Sequence, residues 1–278
     1  MRLVSIATGA GTRWGALEDG GIRLAPASWG PIEPNLGDIV ATCARLAEIP
    51  LDASLLSSRR LAPIPDPPQL IGIGLNYRDH AIESGLPIPT APIAFAFFTT
   101  SIIASGEPIV VPPGSTKVDW EAELGVVIGR EGRNVPVESA MEHVAGYVVL
   151  NDVSEREIQA AEGQWGRAKS FDTFKPMGPW MVTRDEVPDP GNLAIELRVN
   201  GAVKQSSSTR ELVFGVAELV SRLSASTTLR PGTVISTGTP PGVGQSRTPP
   251  EFLRAGDEVS VTVERVGTIV NPVVAARG

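Results

Sequence analysis

The chain has 278 residues, with 31 acidic against 24 basic side chains for a formal charge of -7, and hydrophobic and charged residues make up 42% and 20% of it. That length suits one large domain with or without a small appendage, and the acidic balance argues against nucleic acid or an anionic membrane as the main partner. A lone Cys43 excludes an internal disulfide framework and a cysteine-based metal site, which fits a reducing compartment. Met1-Arg2-Leu3-Val4-Ser5 lacks the apolar core of a signal peptide, and no apolar run approaches the roughly 18 residues of a membrane span. A cytoplasmic location is therefore expected.

In chain order, Leu3 to Ala7 and Trp14 to Leu17 read as a strand pair, followed by an amphipathic helix near Leu36 to Ala47 and a further helical turn within Leu51 to Leu61. Pro63, Pro65, Pro67 and Pro68 form a stiff connection, so a small N-terminal α+β domain is expected over 1–66 and a catalytic domain over 67–278, the latter able to fold alone. Leu70 to Gly74 is a strand. Its Gly72-x-Gly74 lacks the third glycine of a dinucleotide fingerprint, and the loop Thr237 to Gly244 lacks the lysine of a P-loop. His80 and Glu83 stand at i,i+3 on a short helix, where a carboxylate can orient an imidazole for general-base work or merely form a surface pair. The other histidine, His143, lies in what reads as a structural helix.

The segment Ile93 to Ile109 is β-like and leads to Asp119-Trp120-Glu121-Ala122-Glu123-Leu124, which carries acids into a strand that should be apolar. On one continuous strand Asp119, Glu121 and Glu123 would share a face at about 6.5 to 7 Å spacing, close enough to repel or to converge on a hard divalent cation. A solvated acidic face is the other reading. Val144 to Leu150 is a buried strand that ends at Asp152, which serves equally as a cap residue, since Ser154 and Glu157 fit a capping box, or as a third oxygen ligand. Gln164 to Trp180 mixes cations, hydroxyls and aromatics without a helical or strand period, and loops of that composition often carry function; Lys169 there is either a solvated lysine or a stabiliser of negative charge. Short alternating strands follow, with a hairpin turn at Asn200-Gly201, a helix near Val213 to Leu223 and a turn at Arg254 to Asp257. The sum is a mostly β domain, rolled or barrel-like, with a few helices.

Together, Asn76-Tyr77 through His80 and Glu83, Asp119-x-Glu121-x-Glu123-Leu124, Asn151-Asp152-Val153-Ser154-Glu155-Arg156, Lys169-Ser170-Phe171-Asp172-Thr173 and Ser236 to Gly244 resemble the fumarylacetoacetate hydrolase family over about residues 67 to 272. The resemblance implies an α+β, mostly β fold, a mixed β-sandwich roll with a small N-terminal domain, assembled as a homodimer. It implies Mg2+ or Mn2+, with Ca2+ possible in a crystal, held by Glu121, Glu123 and Asp152. His80, Glu83 and Lys169 take catalytic positions, and Gln159, Thr239, Asn76 and Tyr77 take substrate-binding ones. Where family members often show a lysine after the strand before the acidic motif, this chain reads Phe95-Ala96-Phe97-Phe98, and Phe97 is expected to bear on substrate choice.

The reaction so implied is metal-assisted hydrolysis of a carbon–carbon bond in a 1,3-diketo acid of the acylpyruvate or fumarylpyruvate type, with His80 activating water and Lys169 adding charge. Oxaloacetate decarboxylation or 2-hydroxydienoate isomerisation and tautomerisation are the alternatives on the same site, and a catalytically silent metal-binding scaffold is the alternative of another class. The expected partner is a small 2-oxo acid, with no nucleic acid and no membrane.

Overall fold

Apolar runs without alternation, such as Leu124 to Ile128 and Val144 to Leu150, must be covered on both faces, and the fold is organised around doing so. In the computed structural model, which describes residues 1–276, the chain begins with β1 (Arg2–Thr8), β2 (Gly11–Glu18) and β3 (Gly21–Leu24), then α1 (Ile39–Ala47) and β4 (Arg60–Leu61). Next come β5 (Leu70–Gly74), α2 (Arg78–Glu83), β6 (Ile93–Ala96), β7 (Ile102–Ala104) and β8 (Ile109–Val111). The acidic motif spans β9 (Val118–Asp119) and β10 (Ala122–Ile128), and β11 (Val144–Asn151), β12 (Ser154–Glu155), α3 (Arg156–Glu162), α4 (Trp165–Ala168) and β13 (Lys175–Thr183) follow it. The remainder is β14 (Ala194–Val199), β15 (Ala202–Ser208), α5 (Val216–Ser226), β16 (Val234–Ser236), β17 (Glu258–Val263) and β18 (Gly267–Ala275).

The larger sheet runs β3-β2-β1-β13-β11-β10-β16-β5-β6, with β4 added to β1 and β7 to β13, and the second runs β15-β14-β17-β18-β8. Pairs β16–β5, β13–β7 and β18–β8 are parallel and most of the others antiparallel, so the mixed, mostly β, α+β architecture is the one the sequence implies. Alternate side chains of the central strands serve two cores. Leu124, Val126, Tyr147 and Val149 pack toward the second sheet, whereas Val127, Val148 and Leu150 pack against Leu36, Ile39 and Leu46 of the N-terminal segment.

Several local readings need correction. The helix expected from Leu36 starts at Ile39, where the Asp38 carboxylate accepts from the Ala41 amide at 3.0 Å. Ser154 caps nothing; its hydroxyl turns back to the Asp152 carbonyl, and Glu155 caps α3 by accepting from the Ile158 amide at 2.7 Å. The aperiodic stretch 164–180 contains α4 and the first half of β13, a strand buried almost throughout and therefore without alternation. The Asn200-Gly201 turn stands as read, with φ of 52° and 78° and Val199 opposite Ala202.

Residues on either side of position 66 share one sheet and one core: Leu3 lies opposite Met181 in the β1–β13 ladder, and the face carrying Leu150, Met177 and Met181 is covered by residues 1–66. Uncovering a buried Leu or Met side chain costs about 1.5–3 kcal/mol, against a total stability of about 5–15 kcal/mol. A 67–278 fragment is therefore expected to lose the cooperative thermal transition of the whole chain, as measured by differential scanning calorimetry; a sharp transition in that fragment would show that the segments fold separately.

Candidate metal centre and active-site cavity

Strand β10 delivers Glu123 at its N-terminal end and the extended residue before it, Glu121, while β11 delivers Asp152 just beyond its C-terminal end. The two strands are antiparallel neighbours, Ala122 opposite Asn151, so these ends meet, and the Asp152 amide donates to the Glu121 carbonyl at 2.9 Å. Oxygens of Glu121, Glu123 and Asp152 lie within 4.8 Å of one another, and all three residues are buried.

Asp119 does not join them. The strand breaks at Trp120-Glu121, because Trp120 inserts its buried indole and donates to the Gly242 carbonyl, and β9 pairs instead with β12. The Asp119 carboxylate accepts from the amides of Trp120, Gly244 and Gln245 and from Arg156 Nε at 2.8 Å. It anchors Arg156, whose Nη2 lies 2.7 Å from Glu121 Oε1.

Lys169, far from solvated, is buried, and its Nζ donates to Glu121 Oε2 at 2.8 Å, Asp152 Oδ2 at 2.7 Å and Ser154 Oγ at 2.8 Å. Glu123 Oε2 accepts from Ser236 Oγ at 2.6 Å and the Gly238 amide at 2.8 Å. Gly238, at φ 100°, carries no Cβ to strike Asn76 there. Asp152 Oδ1 takes no directional hydrogen bond, although Lys175 Nζ stands 2.7 Å away.

Burial pushes the carboxyls of Glu121 and Glu123 upward, and the neighbours decide the outcome. For Glu121, burial is outweighed by Lys169 and Arg156, which hold it at about 2. Glu123 is raised well above the carboxylate range by burial and by the negative charges of Asp152 and Glu121. Lys169 is raised against its burial by Asp152 and Glu121. An all-oxygen set containing one carboxyl raised by the negative charge of its neighbours and one buried oxygen without a directional partner fits a hard divalent cation, which would offset that repulsion and engage that oxygen.

Around this triad lies a cavity of about 520 Å³ lined also by His80, Glu83, Gln159, Lys169 and Thr239, so the structure brings these sequence-selected residues together. His80 Nδ1 and Glu83 Oε2 are 2.9 Å apart, and Glu83 Oε1 accepts from the Gly242 amide at 2.8 Å. Asn76 and Tyr77 are not part of the lining. Asn76 is buried and bonds the Phe214 main chain and the Thr237 carbonyl, and the buried Tyr77 hydroxyl has no partner among the described residues. Phe97 does not face the cavity either; it is buried against Gly72 beneath the Lys175 ammonium, and Phe95 with Trp165 forms the aromatic wall, their ring centroids 5.4 Å apart.

Sequence reasoning missed Lys175 and the clamp made by Arg156 and Asp119. Two charged residues in otherwise apolar or acidic surroundings were the available signal.

With this geometry in view, comparison with known proteins is decisive. Residues 69–274 match the fumarylacetoacetate (FAA) hydrolase C-terminal family. The chain belongs to that family. It is 50% identical over 216 residues to mitochondrial oxaloacetate tautomerase fahd2 of Xenopus laevis, covering 77% of this chain and 68% of that protein. Its structure is similar to 2-hydroxyhepta-2,4-diene-1,7-dioate isomerase from Mycobacterium marinum, with a TM-score of 0.79 at 34% identity and 100% of each chain covered. It is also similar to fumarylacetoacetate hydrolase from Exiguobacterium antarcticum, with a TM-score of 0.81 at 33% identity, 99% of this chain and 100% of that one covered. Among the described residues, no helix is long and apolar enough to cross a membrane.

The opposed shifts act in different pH windows. Glu121, depressed in the fold, contributes stability above the unfolded value of roughly 4.3 that is lost as pH falls toward about 2. Glu123, raised in the fold, contributes stability below roughly pH 4.3 that is lost as pH rises through its folded value. In chelator, Glu123→Gln is expected to be more stable than wild type near neutral pH by roughly 1–3 kcal/mol and to flatten the decline of Tm with rising pH. Thermal melts of the two proteins at several pH values check this; parallel curves would remove Glu123 from the account.

Proposed function

We propose that the protein is an Mg2+- or Mn2+-dependent enzyme that moves a proton at the carbon beside the carbonyl of a small 2-oxo acid, acting as a keto–enol tautomerase or isomerase. The observation that carries this reading is the His80–Glu83 pair facing a buried carboxylate triad across one cavity. The tautomerase and isomerase names of two similar proteins support it. Glu121, Glu123 and Asp152 would hold the cation, which when bound supplies positive charge that polarises a carbonyl oxygen.

The chain's own groups divide the remaining work. With Nδ1–H directed to Glu83, His80 keeps Nε2 as its basic nitrogen; that nitrogen takes the proton as the C–H bond breaks, and the electron pair moves toward the carbonyl oxygen. Returning the proton to oxygen completes the enol. Lys169, with three donors directed at Glu121, Asp152 and Ser154, acts as a fixed positive charge beside the developing anion. Thr239 accepts from Gln205 and Gln159 accepts from Arg156, which leaves the Thr239 hydroxyl proton and the Gln159 amide group to donate to substrate oxygens. Phe95, Trp165 and Leu86 keep water from part of the cavity wall.

Hydrolysis of an acylpyruvate-type carbon–carbon bond is the second reading, favoured by likeness to the Exiguobacterium antarcticum hydrolase and by the same His80–Glu83 pair, which suits drawing a proton from water. The discriminating experiment offers oxaloacetate, a 2-hydroxydienoate and an acylpyruvate to wild type and His80→Ala in D2O, with products followed by NMR. Tautomerisation with deuterium entering beside the carbonyl, abolished by chelator and reduced roughly 10²-fold in His80→Ala, is the expected result. Cleavage of the acylpyruvate with no tautomerisation of the other two would transfer the conclusion to hydrolysis.

We also propose a homodimer. β6 is an edge strand of the larger sheet, Ile93 within it and Phe98 just after it are exposed, and so are Ile82, Leu86 and Ile88 in the segment leading to it, large apolar side chains of the kind a partner would cover. Light scattering should give twice the 29.3 kDa chain mass, and Phe98→Asp should shift the species toward one chain; a wild-type monomer would refute the assembly.

A further inference from the structure

Lys175 is fully buried at the start of β13, and its ammonium is enclosed rather than solvated. Nζ stands 2.7 Å from Asp152 Oδ1, donates to the carbonyls of Val153 at 3.3 Å, Phe174 at 3.1 Å and Lys169, and lies 4.4 Å from the centroid of the Phe97 ring. It is not part of the cavity lining. Arg156 is shared, its Nε on Asp119 and its Nη2 on Glu121, so Arg156 and Asp119 together add no net charge to the cluster. The three carboxylates of Glu121, Glu123 and Asp152 are then opposed by two ammonium groups, Lys169 and Lys175.

We infer that Lys175 is a built-in counter-charge: it keeps the three carboxylates assembled when no cation is bound and holds down their affinity for a divalent cation. The inference rests on the metal-centre reading given above. With all three carboxyls ionised, the form that a bound cation engages, the cluster has a formal charge near -1 when Lys175 is present (-3 + 2) and near -2 when it is removed (-3 + 1). Attraction between charges a few ångströms apart in a poorly hydrated site outweighs the looser orientation of one carboxylate. Two of its carbonyl bonds, to Val153 and Lys169, also tie Lys175 to the segments carrying Asp152 and Lys169, which makes it a positioning residue as well as a charge.

The test is Mn2+ binding to the full-length protein at neutral pH, followed by electron paramagnetic resonance of free Mn2+, for wild type, Lys175→Met and Lys175→Arg. Met keeps the apolar stem over Phe97 and removes the charge. Lys175→Met is expected to bind Mn2+ tenfold or more tightly than wild type and to melt at a lower temperature in chelator, with Mn2+ raising its Tm by more than it raises that of wild type. Lys175→Arg should stay within about threefold of wild-type affinity, because a positive charge is retained. If the Met variant fails to fold, Lys175→Gln, which can still donate to the carbonyls, carries the same expectation. Unchanged or weaker Mn2+ binding in a folded neutral variant, with wild type binding normally, overturns the counter-charge alone. Absence of Mn2+ binding in every protein overturns the metal-centre reading and this inference together.

Discussion

Everything at the centre of this molecule depends on bringing three carboxylates out of water at the joined ends of two buried strands. An isolated buried carboxylate is strongly disfavoured, and removing one partner of a buried ion pair is commonly worth several kcal/mol of lost stability. The fold answers with Arg156, Lys169 and Lys175, each itself buried, and with main-chain and hydroxyl donors at Glu123. These cations come from three elements that follow one another in the chain, the start of α3, the end of α4 and the start of β13. The short helices between β12 and β13 therefore serve to place charge. Burying this much charge requires a rigid surround, and the surround is the pair of cores on either face of the larger sheet.

The same economy appears in strand β5. Gly72 and Gly74 are bare because aromatic rings lie against them: a Cβ on Gly72 would meet Phe95 and Phe97, and one on Gly74 would overlap Trp165. That is the physical reason for a Gly-x-Gly at the end of a strand that lacks the third glycine of a dinucleotide fingerprint. The rings packed there take different parts, Phe95 and Trp165 facing the cavity and Phe97 shielding Lys175 from water.

Much of this was legible in the sequence, for identifiable reasons. Strands with a regular period, a glycine-rich hairpin and an i,i+3 His–Glu pair are local features, and each appears where the pattern puts it. The convergence of Glu121 and Glu123 with Asp152 was signalled by acids standing beside apolar runs. What local pattern could not convey was the break at Trp120, which depends on a contact with Gly242 far along the chain and turns Asp119 away from its neighbours. Nor could it show that Lys175, in a stretch that reads as a loop, enters a buried strand. Burial on both faces erases the period from which strands are recognised. The separateness suggested by the prolines at 63–68 is likewise a local signal, whereas the β1–β13 ladder is a pairing between residues nearly 180 positions apart.

The two oxygens of Glu83 have a joint consequence. One receives the Gly242 amide, which fastens the short helix α2 across the cavity, and the other holds the His80 imidazole. The latch and the alignment of the imidazole are thus one carboxylate. Were the helix to swing away, Glu83 would leave its anchor and the imidazole would lose its fixed neighbour in the same movement. If His80 is the base proposed above, it is aligned only while α2 lies across the cavity, and readiness to react is then a property of the enclosed site.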